Sequence, residues 1–187
     1  MSIDDLLNVI GTSTGLKLGG VDLNAPSLTP VTRTAPIDAR SLREALPDLN
    51  LEASQLEPYL KLMVMAVYAD DNKDEDEVRL LDALRRGTRT LTDGDRSHID
   101  LGALFEWAQG ALSGSVEELQ AEMKAVTAPF SAEQRPDLYT HVLVLLMLDS
   151  LKTEEVLFAR VVGDALQLSQ AERQRLTEAA SELVPHR

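Results

Sequence analysis

The residues best able to do chemistry stand in one short run, Ala69-Asp-Asp-Asn-Lys-Asp-Glu-Asp-Glu77. Six of the eight residues from Asp70 to Glu77 are acidic. Clustered carboxylates repel one another, so solvent, a helix N-terminus or a cation must offset them. Helix chemistry accounts for part of the run. Asp74 as N-cap with Glu77 three residues on reads as a capping box, and Glu75 and Asp76 then fall in a first turn, where the macrodipole favours anions. Asp70 and Asp71 are left at the C-terminal end of the preceding helix, where the macrodipole disfavours them. Two acids badly placed for one helix and facing the acids of the next suggest a hard divalent cation between them, Ca²⁺ or Mg²⁺, held by oxygen ligands. The loop is not an EF-hand. Counted from Asp70, position six is Glu75 rather than Gly and position twelve is Leu81 rather than Glu. A thinner second set follows at Asp149, Glu154 and Glu155, with Ser150 and Thr153 as caps in its place. The candidate metal ligands are therefore Asp70, Asp71, Asp74 and Glu77, joined by Asp149 and Glu155. The alternative for both loops is an ordinary capped helix start.

Other chemistry is thin. His98, His141 and His186 are not at metal-ligand spacing, and neither His-Glu-x-x-His nor Glu-x-x-His occurs. His141 lies in an apolar segment and reads as a hydrogen-bonded core residue. Gly11-Thr-Ser-Thr-Gly15 lacks the Gly-Lys-Ser/Thr ending of a phosphate loop. It does have Gly-x-Ser-x-Gly spacing, but it stands in a Gly-, Thr- and Pro-rich stretch with no buried strand before it, so it is not read as a nucleophile elbow. The chain has no cysteine, so thiolate metal sites, disulfides and thiol nucleophiles are excluded. With no separate base, oxyanion donor or substrate clamp, the expected function is non-enzymatic.

Charge narrows the partners. Lys and Arg number 18 against 31 Asp and Glu, a net charge of −13. Phosphate neutralisation needs the opposite balance, so nucleic acid is not expected, nor an anionic lipid surface. The apolar run Val142 to Leu148 has seven residues, far short of the ~20 a membrane span needs. Met1-Ser-Ile-Asp-Asp carries acids where a signal peptide carries bases. The expectation is a cytoplasmic protein with a protein partner, and the pattern leaves a homo-oligomer open.

The elements that position these residues read as helices. The 187 residues suit one domain with a tail. They are 44% hydrophobic but only 4% aromatic, which leans away from a β-sandwich. Residues 1–40 mix Gly, Thr and Pro without sustained periodicity and read as a flexible tail, with apolar spacing for a short helix at 3–10. Residues 41–187 form the body. A short helix at Ser41 to Leu46 stops at Pro47. Ser54-Gln-Leu-Glu57 and Ser131-Ala-Glu-Gln134 read as capping boxes, each with a proline close behind. They open helices that are apolar nearly all round, Tyr59 to Ala69 and the segment ending in Val142 to Leu148. Met63, Met65 and Met147 read as core filler. Amphipathic helices follow after the acidic loop to Gly87, from Ile99 to Leu112, from Ser115 to Val126, from Thr153 to Leu166 and from Ser169 to Leu183. Arg79, Arg85, Arg86 and Arg89 suit the helix that ends at Gly87 and read as solvated.

An ungapped offset of 78 pairs Pro58 with Pro136, Val64 with Val142, Asp71 with Asp149, Glu77 with Glu155 and Val78 with Val156. Each half is a buried helix, an acidic loop and an amphipathic helix. The fold class read from this is an all-α bundle of about seven helices, with a pseudo-twofold repeat of helical hairpins around two buried central helices.

A buried helix, an Ala-Asp step in the first copy and Leu-Asp in the second, a short polar stretch and a Glu opening the next helix together resemble the TerB-like tellurite-resistance family over about residues 54–183. The first copy is Ala69-Asp70-Asp71-Asn72-Lys73-Asp74-Glu75-Asp76-Glu77 and the second is Leu148-Asp149-Ser150-Leu151-Lys152-Thr153-Glu154-Glu155. Asp71 stands where the family has Gly, and Lys73 where it has an apolar residue. In the second copy Asp149 lies six residues before Glu155, whereas Asp70 lies seven before Glu77. The resemblance implies an all-helical module whose acidic residues bind a divalent cation and which serves a stress or tellurite response or a protein assembly. The residues themselves leave a second reading open, a metal-free acidic scaffold that meets a basic protein partner.

Overall fold

A computed structural model describes residues 38–69, 75–87, 99–148 and 152–184, with the backbone of 17–18 and 21–22. Lys17–Leu18 (β1) pairs antiparallel with Val21–Asp22 (β2), Lys17 opposite Asp22. The rest of residues 1–37, including the helix expected at 3–10, lies outside the described residues. The described body is all-helical. Its eight helices are α1 (Ala39–Ala45), α2 (Ala53–Val67), α3 (Glu75–Gly87), α4 (Leu101–Leu112), α5 (Val116–Thr127), α6 (Arg135–Leu146), α7 (Thr153–Ala165) and α8 (Gln170–Leu183). Eight stand where about seven were expected, and the first of them starts at Ala39 rather than Ser41.

Local chemistry sets most of the starts. Asp38 caps α1, its carboxylate accepting from the Arg40 and Ser41 amides. Seven residues are too few for an isolated helix; α1 persists because it packs on α3 and buries Leu42. Ser115 and Ser169 open α5 and α8 with reciprocal bonds to Glu118 and Glu172. The expected box at Ser54 and Glu57 does not open α2. The reciprocal pair is Glu52 and Gln55, and Glu57 instead pairs with Lys61 at 3.1 Å. The reason is tertiary: the Gln55 amide is gripped from across the molecule, which fixes it at the third helical position. The box at Ser131 forms, but it closes a turn, and α6 begins just after it at Arg135. The second half likewise starts with Lys152 rather than Thr153 at the cap, and Ser150 lies outside the described residues. The Lys152 amide donates to Glu155 at 2.6 Å.

Helix α2 packs against α3, α4, α5 and α6. A helix with neighbours on every side must be apolar on every side, and Leu62 through Val67 are all buried. Met63 and Met65 are core filler, as expected. Each such side chain contributes roughly 1.5–3 kcal/mol. Helix α6 packs against α2, α7 and α8, with Leu138 through Leu146 buried. Helix α4 is held on α2 by aromatic contacts. Tyr68 meets Phe105 edge-on at 5.4 Å, and Lys61 lies over the ring of Trp107 at 5.0 Å.

Helix α7 ends in a Schellman motif. The Gln167 amide donates to the Asp164 carbonyl and the Leu168 amide to that of Gly163. Gln167 takes the left-handed conformation, φ 59°, where glycine is usual. Its side chain is held at 2.8 Å by Arg135. Gly163 has a different reason to be glycine. A Cβ there would meet Arg173 Cδ at 2.5 Å, so the missing side chain lets Arg173 cross α7 to reach Asp164.

Candidate functional site

Of the six expected metal ligands, Glu77 and Glu155 are described. Asp70, Asp71, Asp74 and Asp149 lie outside the described residues. The two that are visible occupy matching places. Helices α3 and α7 each have 13 residues, start 78 residues apart and carry glutamate as their third residue. Glu77 is 3% exposed and Glu155 1%, although buried carboxylates are uncommon unless paired. Glu155 accepts from the Lys152 amide, so its carboxylate works inside the helix start. As oxygen donors the six suit a hard cation. Among the described residues no group of three or more His, Asp or Glu is placed to hold a metal.

A second acidic feature emerges where α2 and α6 begin. The loop before α2 and the turn before α6 border an open cavity of about 660 Å³. It is lined by the carboxylates of Asp48, Glu52, Glu133 and Asp137, and its lining contains no lysine or arginine. Burial raises the pKa of the Asp137 carboxyl, as desolvation does to any carboxylate. Asp48 lies 3.9 Å from Arg43.

The cavity is framed by two glutamines that grip each other. Gln55 Nε2 donates to Gln134 Oε1 at 3.0 Å, and Gln134 Nε2 donates to Gln55 Oε1 at 3.2 Å. Each also reaches across to the opposite loop. Gln55 Nε2 donates to the Pro129 carbonyl at 2.8 Å, and Gln134 Nε2 to that of Leu49 at 3.2 Å. Each Oε1 accepts from the amide three residues back, Glu52 and Ser131. The two loops are thus tied by a reciprocal clasp. In a double-mutant cycle, Gln55→Ala and Gln134→Ala should couple by about 1 kcal/mol, read by urea denaturation. Strict additivity would mean that the amides do not work as a pair.

His141 is placed as its sequence context suggests, inside the core. Its Nε2 lies 2.9 Å from the Pro47 carbonyl and its Nδ1 2.9 Å from the Tyr59 hydroxyl. A carbonyl only accepts, so Nε2 carries the proton and Nδ1 accepts from Tyr59. Burial pushes the imidazole pKa down to about 4, and it stays neutral at pH 7. This is a tie between α6, α2 and the end of α1, with both ring nitrogens committed.

Sequence reading missed Asp48, Glu52, Glu133 and Asp137 as a set. The available signal was glutamine three residues after Glu52 and again after Ser131, 79 residues apart, each with acids around it. Among known proteins, no family model matches the chain, and no curated protein or solved structure does so either.

Proposed function

We propose that this chain is a non-enzymatic, two-repeat helical module of the TerB-like type, which works by binding a protein partner through its acidic surface. The observation that carries the reading is the cavity at the α2 and α6 starts. Four carboxylates around one concavity, with no lysine or arginine in the lining, suit a lysine- or arginine-bearing segment. The net charge of −13 steers such a partner from a distance.

The repeat belongs to the same proposal. Equal helix lengths at a 78-residue offset support it, as do the buried glutamates Glu77 and Glu155 and the Gln55–Gln134 clasp. On this reading α2 and α6 are its two central helices, and the acidic cavity lies where the halves meet.

A labelled hexalysine peptide tests the main reading. Its fluorescence anisotropy should rise saturably with protein and should weaken severalfold in Asp48→Asn/Glu133→Gln. Equal weakening by the remote pair Glu178→Gln/Glu182→Gln would reduce the effect to net charge and sink the cavity.

A second reading is favoured by the buried glutamates that open both α3 and α7. It places a divalent cation among Asp70, Asp71, Asp74 and Glu77, with Asp149 and Glu155 contributing, in a stress or tellurite-type setting. The chain has no cysteine, so that setting would not involve thiol reduction here. Binding at a hundredfold excess over Kd stabilises the fold by about 2.7 kcal/mol. Millimolar Ca²⁺ or Mg²⁺ in 0.15 M NaCl should then raise Tm, and far less so in Asp70→Asn/Asp71→Asn. The same rise from NaCl at matched ionic strength would mean relief of self-repulsion, and the cation would be dropped.

A further inference from the structure

The acidic cavity draws its carboxylates from two separate stretches of chain, so its shape depends on what holds them together. Asp48 and Glu52 stand on the loop before α2, Glu133 on the turn before α6 and Asp137 in the first turn of α6. Arg43 lies 3.9 Å from Asp48, but neither Glu133 nor Asp137 has an ion pair among the described residues. Like charges gathered at one concavity repel, and the repulsion acts to part the loops.

The backbone beside these acids is pinned. Gln134 Nε2 holds the Leu49 carbonyl at 3.2 Å and His141 Nε2 the Pro47 carbonyl at 2.9 Å, so the carbonyls on both sides of Asp48 are fixed from the α6 side. The Glu52 amide donates to Gln55 Oε1 at 3.0 Å. Glu133 sits inside the turn that Gln134 closes by accepting from the Ser131 amide, also at 3.0 Å. The Gln55–Gln134 pair then joins the two sets.

Residue type adds a separate point. Elsewhere the chain makes comparable ties with arginine. Arg135 reaches Gln167 at 2.8 Å, and Arg173 reaches the Leu168 carbonyl at 2.9 Å and Asp164 at 2.7 Å. A guanidinium at the clasp could donate to the same carbonyls, but it would set a full positive charge among the carboxylates. A primary amide donates and accepts without charge. The clasp therefore gathers the acids and leaves their charge uncancelled.

We infer that Gln55 and Gln134 are the positioning residues of the acidic cavity, setting the carboxylates of one loop against those of the other so that a basic segment is gripped from both sides at once. The inference rests on the reading of the cavity as a docking site for a lysine- or arginine-bearing segment. A site held ready in this way has less to order on binding, and the gain shows chiefly in slow dissociation. Steering from a distance depends on net charge, which an amide does not alter.

The test is stopped-flow fluorescence anisotropy of the labelled hexalysine peptide with the full chain, with dissociation read by a chase of unlabelled peptide. Gln55→Met/Gln134→Met keeps side-chain length and net charge and removes the clasp. Its association rate should stay within about twofold of the parent, while dissociation should quicken by at least about fivefold. Leu176→Ala, which truncates a buried side chain on α8, destabilises the fold away from the cavity and should leave both rates as they were. Should the double variant be unfolded by circular dichroism, Gln134→Met alone carries the test, and its dissociation should quicken by at least about twofold. Unchanged dissociation in the clasp variant, with binding still weakened in Asp48→Asn/Glu133→Gln, overturns the inference and leaves the docking site standing. Equal quickening in Leu176→Ala would reduce the clasp to general stability and overturns it too. No saturable binding by the parent chain would remove both.

Discussion

Between pH 6.5 and pH 4 the protein should lose about 3 kcal/mol of stability through one side chain, His141. Burial holds its folded-state pKa at about 4, with Arg43 acting in the same direction, while the Pro47 hydrogen bond and Asp48 oppose it. In the unfolded chain the imidazole titrates near 6.5. The unfolded state therefore takes up the proton first as pH falls. The contribution is fully present above pH 6.5, declines by up to about 1.4 kcal/mol per unit below it, and is exhausted near pH 4. Carboxylates act later. Asp38, Glu118 and Glu172 have pKa values lowered by hydrogen bonds from Ser41, Ser115 and Ser169 respectively, so their share is lost as pH falls through about 4 and below. Urea denaturation at several pH values, followed by Trp107 fluorescence, would measure the slope. His141→Phe isolates it. That variant leaves the Tyr59 hydroxyl and the Pro47 carbonyl without their partner, so it should be less stable at pH 7. Its deficit against the parent should shrink by about 3 kcal/mol on going to pH 4. A deficit that stays constant with pH would mean that His141 titrates normally in the folded chain.

The same residue shows what a sequence can and cannot reveal here. That His141 is buried follows from the apolar residues on either side of it. Its partners do not, because one is the backbone carbonyl of Pro47, 94 residues away, and a carbonyl has no residue type. The α5 and α8 starts were legible in full, since Ser115 and Ser169 bond within four residues and need nothing from the rest of the fold. The start of α2 was misread because Gln55 answers to Pro129 and Gln134 rather than to its own helix. The apolar runs of α2 and α6 were legible for a similar reason to the caps: burial on every face leaves only apolar residues along the helix. The acidic cavity was not, since Asp48 and Glu52 meet Glu133 and Asp137 only when the two loops close on each other. Each acid alone looks like a solvated residue near a helix start.

Two buried tyrosines should answer the loss of a hydroxyl in opposite ways. Tyr59 and Tyr139 are both fully buried, and burial raises both phenol pKa values, that of Tyr139 to about 12. Neither ionises under ordinary conditions, so only hydrogen bonding separates them. The Tyr59 hydroxyl donates to His141 Nδ1. Tyr59→Phe leaves that nitrogen buried with nothing to accept from, and should cost about 1–3 kcal/mol. The Tyr139 hydroxyl has no hydrogen-bond partner among the described residues. The folded state has already lost the water that solvated it and has nothing in return. Tyr139→Phe removes that debt while keeping the ring, so it should be neutral or stabilising by up to about 1 kcal/mol. Urea midpoints at pH 7 would compare the two directly, since neither change alters net charge and both delete a single oxygen. Doubling the contrast with His141→Phe sharpens it further. In that background Tyr59→Phe should cost much less, because the acceptor it orphaned is gone, whereas the effect of Tyr139→Phe should be unchanged. A loss at Tyr139 as large as that at Tyr59 would mean that its hydroxyl is bonded after all, by a buried water or by a residue outside the described segments.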